Sequence, residues 1–202
     1  MAMDAAIVIG GSLVIVALIF VFVFAIKSRA EEVAAAAAET RRCTIRDAKH
    51  GERVRIVGVA KAIGEPSLSP YTGTACVAWC TSGYGRTSGD RGGARNLPSR
   101  QDVEPFLIED ETGGIAVGTS HVQLDLLPTS VDADGPTKHP FGSGILQREA
   151  GGPVSFYEGV IPQGGQVAVT GIVQRDPDGS VRIVGDAANP AVISNLPTML
   201  EG

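Results

Sequence analysis

The chain has 202 residues, 19% of them charged, and a formal net charge of -5. That length fits one modest domain plus an extra segment. The acidic balance excludes a general nucleic-acid binder, which needs positive charge to meet phosphates. The sequence holds 26 Gly and 12 Pro, and only 5% of it is aromatic. This composition predicts short strands and turns rather than long helices.

Ala5 to Ile26 is an uncharged apolar run of 22 residues, AAIVIGGSLVIVALIFVFVFAI. About 20 apolar residues are needed to cross a hydrocarbon core of about 30 Å as a helix. The run therefore predicts one N-terminal transmembrane α-helix within residues 1–30, with the lipid bilayer as its partner. A cleaved signal peptide is the competing reading, but it requires a positive start and a shorter apolar core. Here the only charged side chain before the run is Asp4. Lys27, Arg29, Arg41, Arg42 and Arg46 follow it. By the positive-inside rule the N-terminus lies outside and the following domain is cytoplasmic. Residues 31–40, EEVAAAAAET, are strong helix formers and predict a short helical stalk within a 31–50 linker.

From Arg53 the pattern changes to alternation, the mark of half-buried strands. Predicted strands cover Arg53–Ile63, Cys76–Cys80, Pro105–Asp110, Gly114–Thr119, Gln166–Arg175 and Ser180–Asp186. Glu111-Thr112-Gly113 connects one pair. Asp176-Pro177-Asp178-Gly179 connects another, with Pro presetting φ and Gly supplying a positive φ. Gly51, Val54, Ile56 and Gly58 have the same spacing as Gly164, Val167, Val169 and Gly171. A Gly inside a strand marks a bulge or a barrel corner. The expected fold is mostly β, a small OB-like β-barrel over residues 51–190, followed by a tail over 191–202. Ser82 to Gln101, rich in Gly, Ser and Arg, reads as a mobile loop. The 121–163 connection reads as a short helix or two. Trp79 is expected in the barrel.

Three stretches, EPSLSPYTGTACVAW, EPFLIEDETGGIAV and FYEGVIPQGGQVAVTG, together resemble a known family. They look like the GIDE domain, also called the BAM domain. That domain is found in MULAN/GIDE-type membrane ubiquitin ligases and in many prokaryotic membrane proteins. Ser69, Pro70, Gly73 and Cys76 fill the first part of the pattern. Pro105, Phe106, Asp110 and Gly113 fill the second. Glu158, Pro162, Gly164, Val167, Val169 and Gly171 fill the third. The resemblance implies a membrane-anchored domain that binds or scaffolds a membrane or cytoplasmic protein. Ligase activity in that family needs a RING finger, which uses many Cys and His to hold zinc. Here there are three Cys and none after Cys80, so ligase activity is not expected.

The reactive side chains fall into no catalytic constellation, and no cofactor is expected. On a strand, Cys76 and Cys80 lie on one face at about 13 Å, too far for a disulfide. They read as buried apolar residues. His50, His121 and His139 form no H-E-x-x-H cluster. Glu109, Asp110 and Glu111 form an acidic corner that suits either a hairpin turn or a divalent cation. Two alternatives stay open. One is an enzyme, or an enzyme subunit, with its site in the 121–163 connection. The other is an envelope OB-fold carrier of haem type, against which the topology and the missing H-x-x-x-Y both argue.

Overall fold

The computed structural model describes residues 31–86, 94–131 and 154–201. The predicted transmembrane run 5–26 and His139 lie outside them. Among the described residues no helix is long and apolar enough to cross a membrane. The chain divides into two compact units, Met1–Glu39 and Thr40–Gly202. In the first, residues 31–39 form a helix, α1, as their Ala-rich sequence predicts.

The second unit is mostly β. Its centre is a closed barrel of five strands: β1 (Arg53–Ala62), β5 (Phe106–Asp110), β6 (Gly113–Val117), β10 (Gln166–Arg175) and β11 (Val181–Val184). The ring runs β1-β5-β6-β11-β10 and closes where β10 pairs with β1. All contacts are antiparallel except the parallel pair β6–β11. Numbered within the barrel, the order is 1-2-3-5-4-1, consistent with the expected OB-like arrangement. Every second residue points inward. Val54, Ile56, Phe106, Ile108, Ile115, Val167, Val169 and Ile183 are buried in one cluster. Each such side chain contributes about 1.5–3 kcal/mol by leaving water.

The repeated Gly cadence marks how the barrel closes. β1 pairs with β10 from Arg53 to Val59 and with β5 from Val59 onward. β10 pairs with β1 up to Ile172 and with β11 from Ile172 onward. Each long strand is handed from one neighbour to the next beside a glycine. A Cβ on Gly58 would lie 2.2 Å from the Glu109 carbonyl oxygen, and one on Gly171 2.8 Å from that of Val184. The two leading glycines are also reciprocal. Gly51 (φ 83°) donates its N–H to Val173 at the far end of β10, and Gly164 (φ 80°) donates to Ala60 at the far end of β1, both at 2.8 Å.

A second sheet arises from two insertions into the barrel. β2 (Ser67–Leu68), β3 (Ala75–Arg86) and β4 (Ala94–Val103) lie between β1 and β5. β7 (Val122–Asp125), β8 (Thr129–Val131) and β9 (Val154–Pro162) lie between β6 and β10. β3 pairs with β2 and β4 on one side and with β9 on the other, and β8 flanks β9. Val77 and Ala78 of β3 and Ile161 of β9, with Leu126 from the β7–β8 connection, bury this sheet into the barrel cluster. β12 (Ala191–Ser194) pairs with β10 and with β7, and the short α2 (Pro197–Leu200) follows it with Met199 buried.

The structure differs from the expected elements in four places. Ser82 to Arg86 and Ala94 to Gln101 are strand, not loop, because β3 lies between two hydrogen-bonded partners. Part of the 121–163 connection is β7, β8 and β9 rather than helix. Residues 191–194 are a buried strand rather than a tail. Trp79 is half-buried on β3, outside the barrel cluster.

Candidate functional site

The predicted motif positions fall into two groups. The first surrounds Glu158 on β9. Its side chain is 2% exposed, and a buried carboxylate is costly unless it is hydrogen-bonded. The donors come from the loop Ser69-Pro70-Tyr71-Thr72-Gly73-Thr74, far away in sequence. Tyr71 N–H donates to Oε1 at 2.8 Å. Thr72 N–H donates to Oε2 at 3.1 Å, the Thr72 hydroxyl at 2.6 Å and the Ser69 hydroxyl at 3.1 Å. Thr72 has a single hydroxyl proton, which is spent on the carboxylate. In its 2.8 Å contact with Thr74, Thr72 is therefore the acceptor.

The loop is closed by its own backbone. Ser69 N–H donates to the Thr74 carbonyl at 2.9 Å and Gly73 N–H to the Ser69 carbonyl at 3.0 Å. Gly73 adopts φ 67°, a conformation that suits glycine. Tyr71 packs on Phe156 with ring centroids 5.1 Å apart. Burial raises the Tyr71 phenol, the hydrogen bond with Thr81 opposes this, and the Glu158 charge adds to the rise. Pro162 ends β9 opposite Cys76.

The second group belongs to the barrel. Pro105 accepts the Ile63 N–H at 3.2 Å and leads into β5. Phe106 is fully buried. Asp110 organises the β5–β6 turn: its Oδ1 accepts from Thr112 N–H, the Thr112 hydroxyl and Gly113 N–H at 2.7, 2.6 and 3.1 Å. Its Oδ2 accepts from Ile45 N–H at 2.7 Å. Partial burial pushes its carboxyl up, but the Thr112, Ile45 and Gly113 donors outweigh this and hold it below the ordinary value. The acidic corner is thus a turn that also ties residues 44–46 to the barrel. Among the described residues no group of three His, Cys, Asp or Glu is placed to hold a metal ion.

The cysteines are unpaired. Burial, then Glu158, Asp102 and Glu104, push the Cys76 thiol up to about 11. Cys80 is raised as well, chiefly by burial. A β-bulge between Cys76 and Ala78 interrupts the expected alternation, so Cys76, Val77 and Ala78 are buried in succession. His50 accepts the Arg175 N–H at 3.0 Å through Nδ1. His121 has φ 53°, and its carbonyl accepts the Ala191 N–H at 2.9 Å.

Beside Glu158 lies an open cleft of about 470 Å³ walled by Thr72, Thr74, Leu127, Ser130, Val160 and Asn195. The other face of the second sheet carries Tyr157 and Tyr84, 38% and 44% exposed, with Ser82 and Ser155 beside them. Sequence reasoning missed Tyr157 and Leu127. The signal for Tyr157 was alternation: in Ser155-Phe156-Tyr157-Glu158, the buried Phe156 and Glu158 alternate with the exposed Ser155 and Tyr157. A larger groove of about 700 Å³ lies outside the barrel, between Val59, Lys61 and Glu109 of β1 and β5 and the segment Arg42–Thr44. No family model, curated protein or solved structure matches this chain.

Proposed function

We propose that the chain is a single-pass, membrane-anchored GIDE-like module that binds or scaffolds a partner protein on the cytoplasmic side of the bilayer. In this reading residues 5–26 cross the membrane, residues 31–39 continue as a stalk, and the OB-type barrel supports the second sheet. The observation that carries the binding reading is where the reactive groups are spent. Glu158 and Asp110 hold loops together, and Cys76 stays a protonated thiol. The aromatic surface of Tyr84 and Tyr157 is turned to solvent on a hydrogen-bonded sheet. Exposed aromatics on a rigid support suit recognition, since they lose little entropy on contact. The three Cys of these 202 residues are too few for a RING finger.

The test is a promiscuous labelling enzyme fused after Gly202 in cells, with and without Tyr84→Ser/Tyr157→Ser. Labelling of cytoplasmic proteins is expected, with a few membrane neighbours enriched and their enrichment lost in the double variant. Labelling confined to the outer side reverses the topology. Unchanged enrichment in the variant removes the second sheet as the docking face.

A further inference from the structure

The cations of the chain are unevenly placed. Between Arg41 and Arg55 stand six basic side chains against Asp47 and Glu52, a net +4 in a chain of net -5. Arg41, Arg42, Arg46 and Lys49 are exposed. The acids around them are largely committed. Glu52 pairs with Arg41 at 3.1 Å. Asp47 accepts the Thr44 hydroxyl at 2.9 Å. Asp110 is taken up by four internal donors. Glu109, across the groove from Arg42, pairs with Lys61, and Glu111 is exposed beside the β5–β6 turn.

The segment is also fixed to the barrel. Cys43 N–H donates to the Arg55 carbonyl and Arg55 N–H to the Arg41 carbonyl, both at 3.0 Å. Ile45 N–H is held by Asp110 at 2.7 Å and Arg46 N–H by the Thr112 hydroxyl at 3.0 Å. These cations therefore move with the domain rather than on a loose linker. Fourteen residues, 27–40, separate Ile26 from Arg41, and residues 31–39 are helical. That tether reaches about 35 Å at most.

We propose that Arg41 to Lys49 is an electrostatic collar that seats on an anionic lipid surface and orients the barrel against it. The proposal rests on the membrane-anchor reading above. Clusters of Lys and Arg next to a membrane span are drawn to anionic headgroups, and the attraction decays over about 8 Å at physiological salt. The acidic remainder of the chain is repelled by the same surface, so one field both attracts the collar and sets which end of the domain faces the bilayer.

The test uses the full chain in nanodiscs of neutral phosphatidylcholine or of phosphatidylcholine with phosphatidylserine. An uncharged amine-acylating reagent is added and the modification rate at Lys49 is read by mass spectrometry. The expected result is a rate roughly threefold lower in the anionic discs. The difference should vanish in high salt and shrink in Arg46→Glu. Equal rates in both discs, with the chain incorporated, overturn the collar and leave the anchor standing. A chain that enters neither disc overturns the anchor and the collar with it.

Discussion

The barrel and the second sheet of the same unit are held together in different ways. The barrel joins residues that are near in pattern: its two hairpins are local, its interior is apolar, and its corners are glycines pressed against a neighbour's backbone. The second sheet joins β3 to β9 from two separate insertions, and to its apolar contacts it adds a polar fastening. Ser69 meets Glu158 across 89 positions, inside a buried hydrogen-bond cluster. Shape complementarity fails sharply when one atom is added. A polar cluster fails when one partner is removed and the others are stranded. The two regions should therefore break differently.

The largest effect is expected at the barrel corner. Gly58→Ala places a Cβ 2.2 Å from the Glu109 carbonyl oxygen, a backbone atom that cannot move without pulling β5 from β1. We expect a loss of about 3 kcal/mol, seen in denaturant unfolding as one cooperative transition at lower midpoint. Gly171→Ala, 2.8 Å from the Val184 carbonyl oxygen, should cost less, about 2 kcal/mol. A Gly58→Ala protein as stable as the parent would show that the corner is not tight.

The next effect belongs to the second sheet. Glu158→Ala strands the N–H groups of Tyr71 and Thr72 and the hydroxyls that faced them. The expected loss is about 2 kcal/mol. Hydrogen exchange should rise in residues 69–74 and in β9 while β1, β5 and β10 keep their protection. A uniform rise across both regions would mean that the two do not open separately, and would remove the contrast.

This contrast also explains what could be read from the sequence. The barrel strands announce themselves by alternation, and the Gly51–Gly58 and Gly164–Gly171 cadence marked the two strands that prove to be antiparallel partners with reciprocal caps. The second sheet was hidden for a physical reason. The far half of β3, Ser82–Arg86, and β4 carry polar sequence that alone looks unable to order, and they are strand because β3 runs on between β4 and β9, which arrives from another insertion. Pro98, which has no N–H to give the ladder, falls where the β3–β4 register shifts. Ser69 and Glu158 are both motif positions, but nothing in their spacing says that one binds the other. Long-range pairing of this kind leaves no periodic trace in a single sequence.

A smaller effect sharpens the boundary between the regions. Asp110 belongs to the barrel group yet is polar, and it ties residues 44–46 down. Its carboxyl lies below the ordinary value of 3.8, so the unfolded chain binds the proton more readily than the folded one. Its contribution is fully present above the unfolded value and is lost as pH falls through the lower folded value. Asp110→Asn should cost about 1 kcal/mol near neutral pH and flatten that acid limb of the stability curve. If the limb stays as steep as in the parent, other carboxylates carry the acid sensitivity.

The smallest effect on stability is expected at the surface that the second sheet presents. Tyr84 and Tyr157 are exposed, and the buried residues of β9 point to the other face. Replacing both with Ser should change unfolding free energy by no more than about 0.5 kcal/mol. That near-neutrality has a use. A double variant that keeps its thermal midpoint and loses its labelled neighbours ties recognition to the aromatic face without invoking misfolding. A double variant that unfolds early would instead make these tyrosines part of the fastening, and the second sheet would then be held by both of its faces.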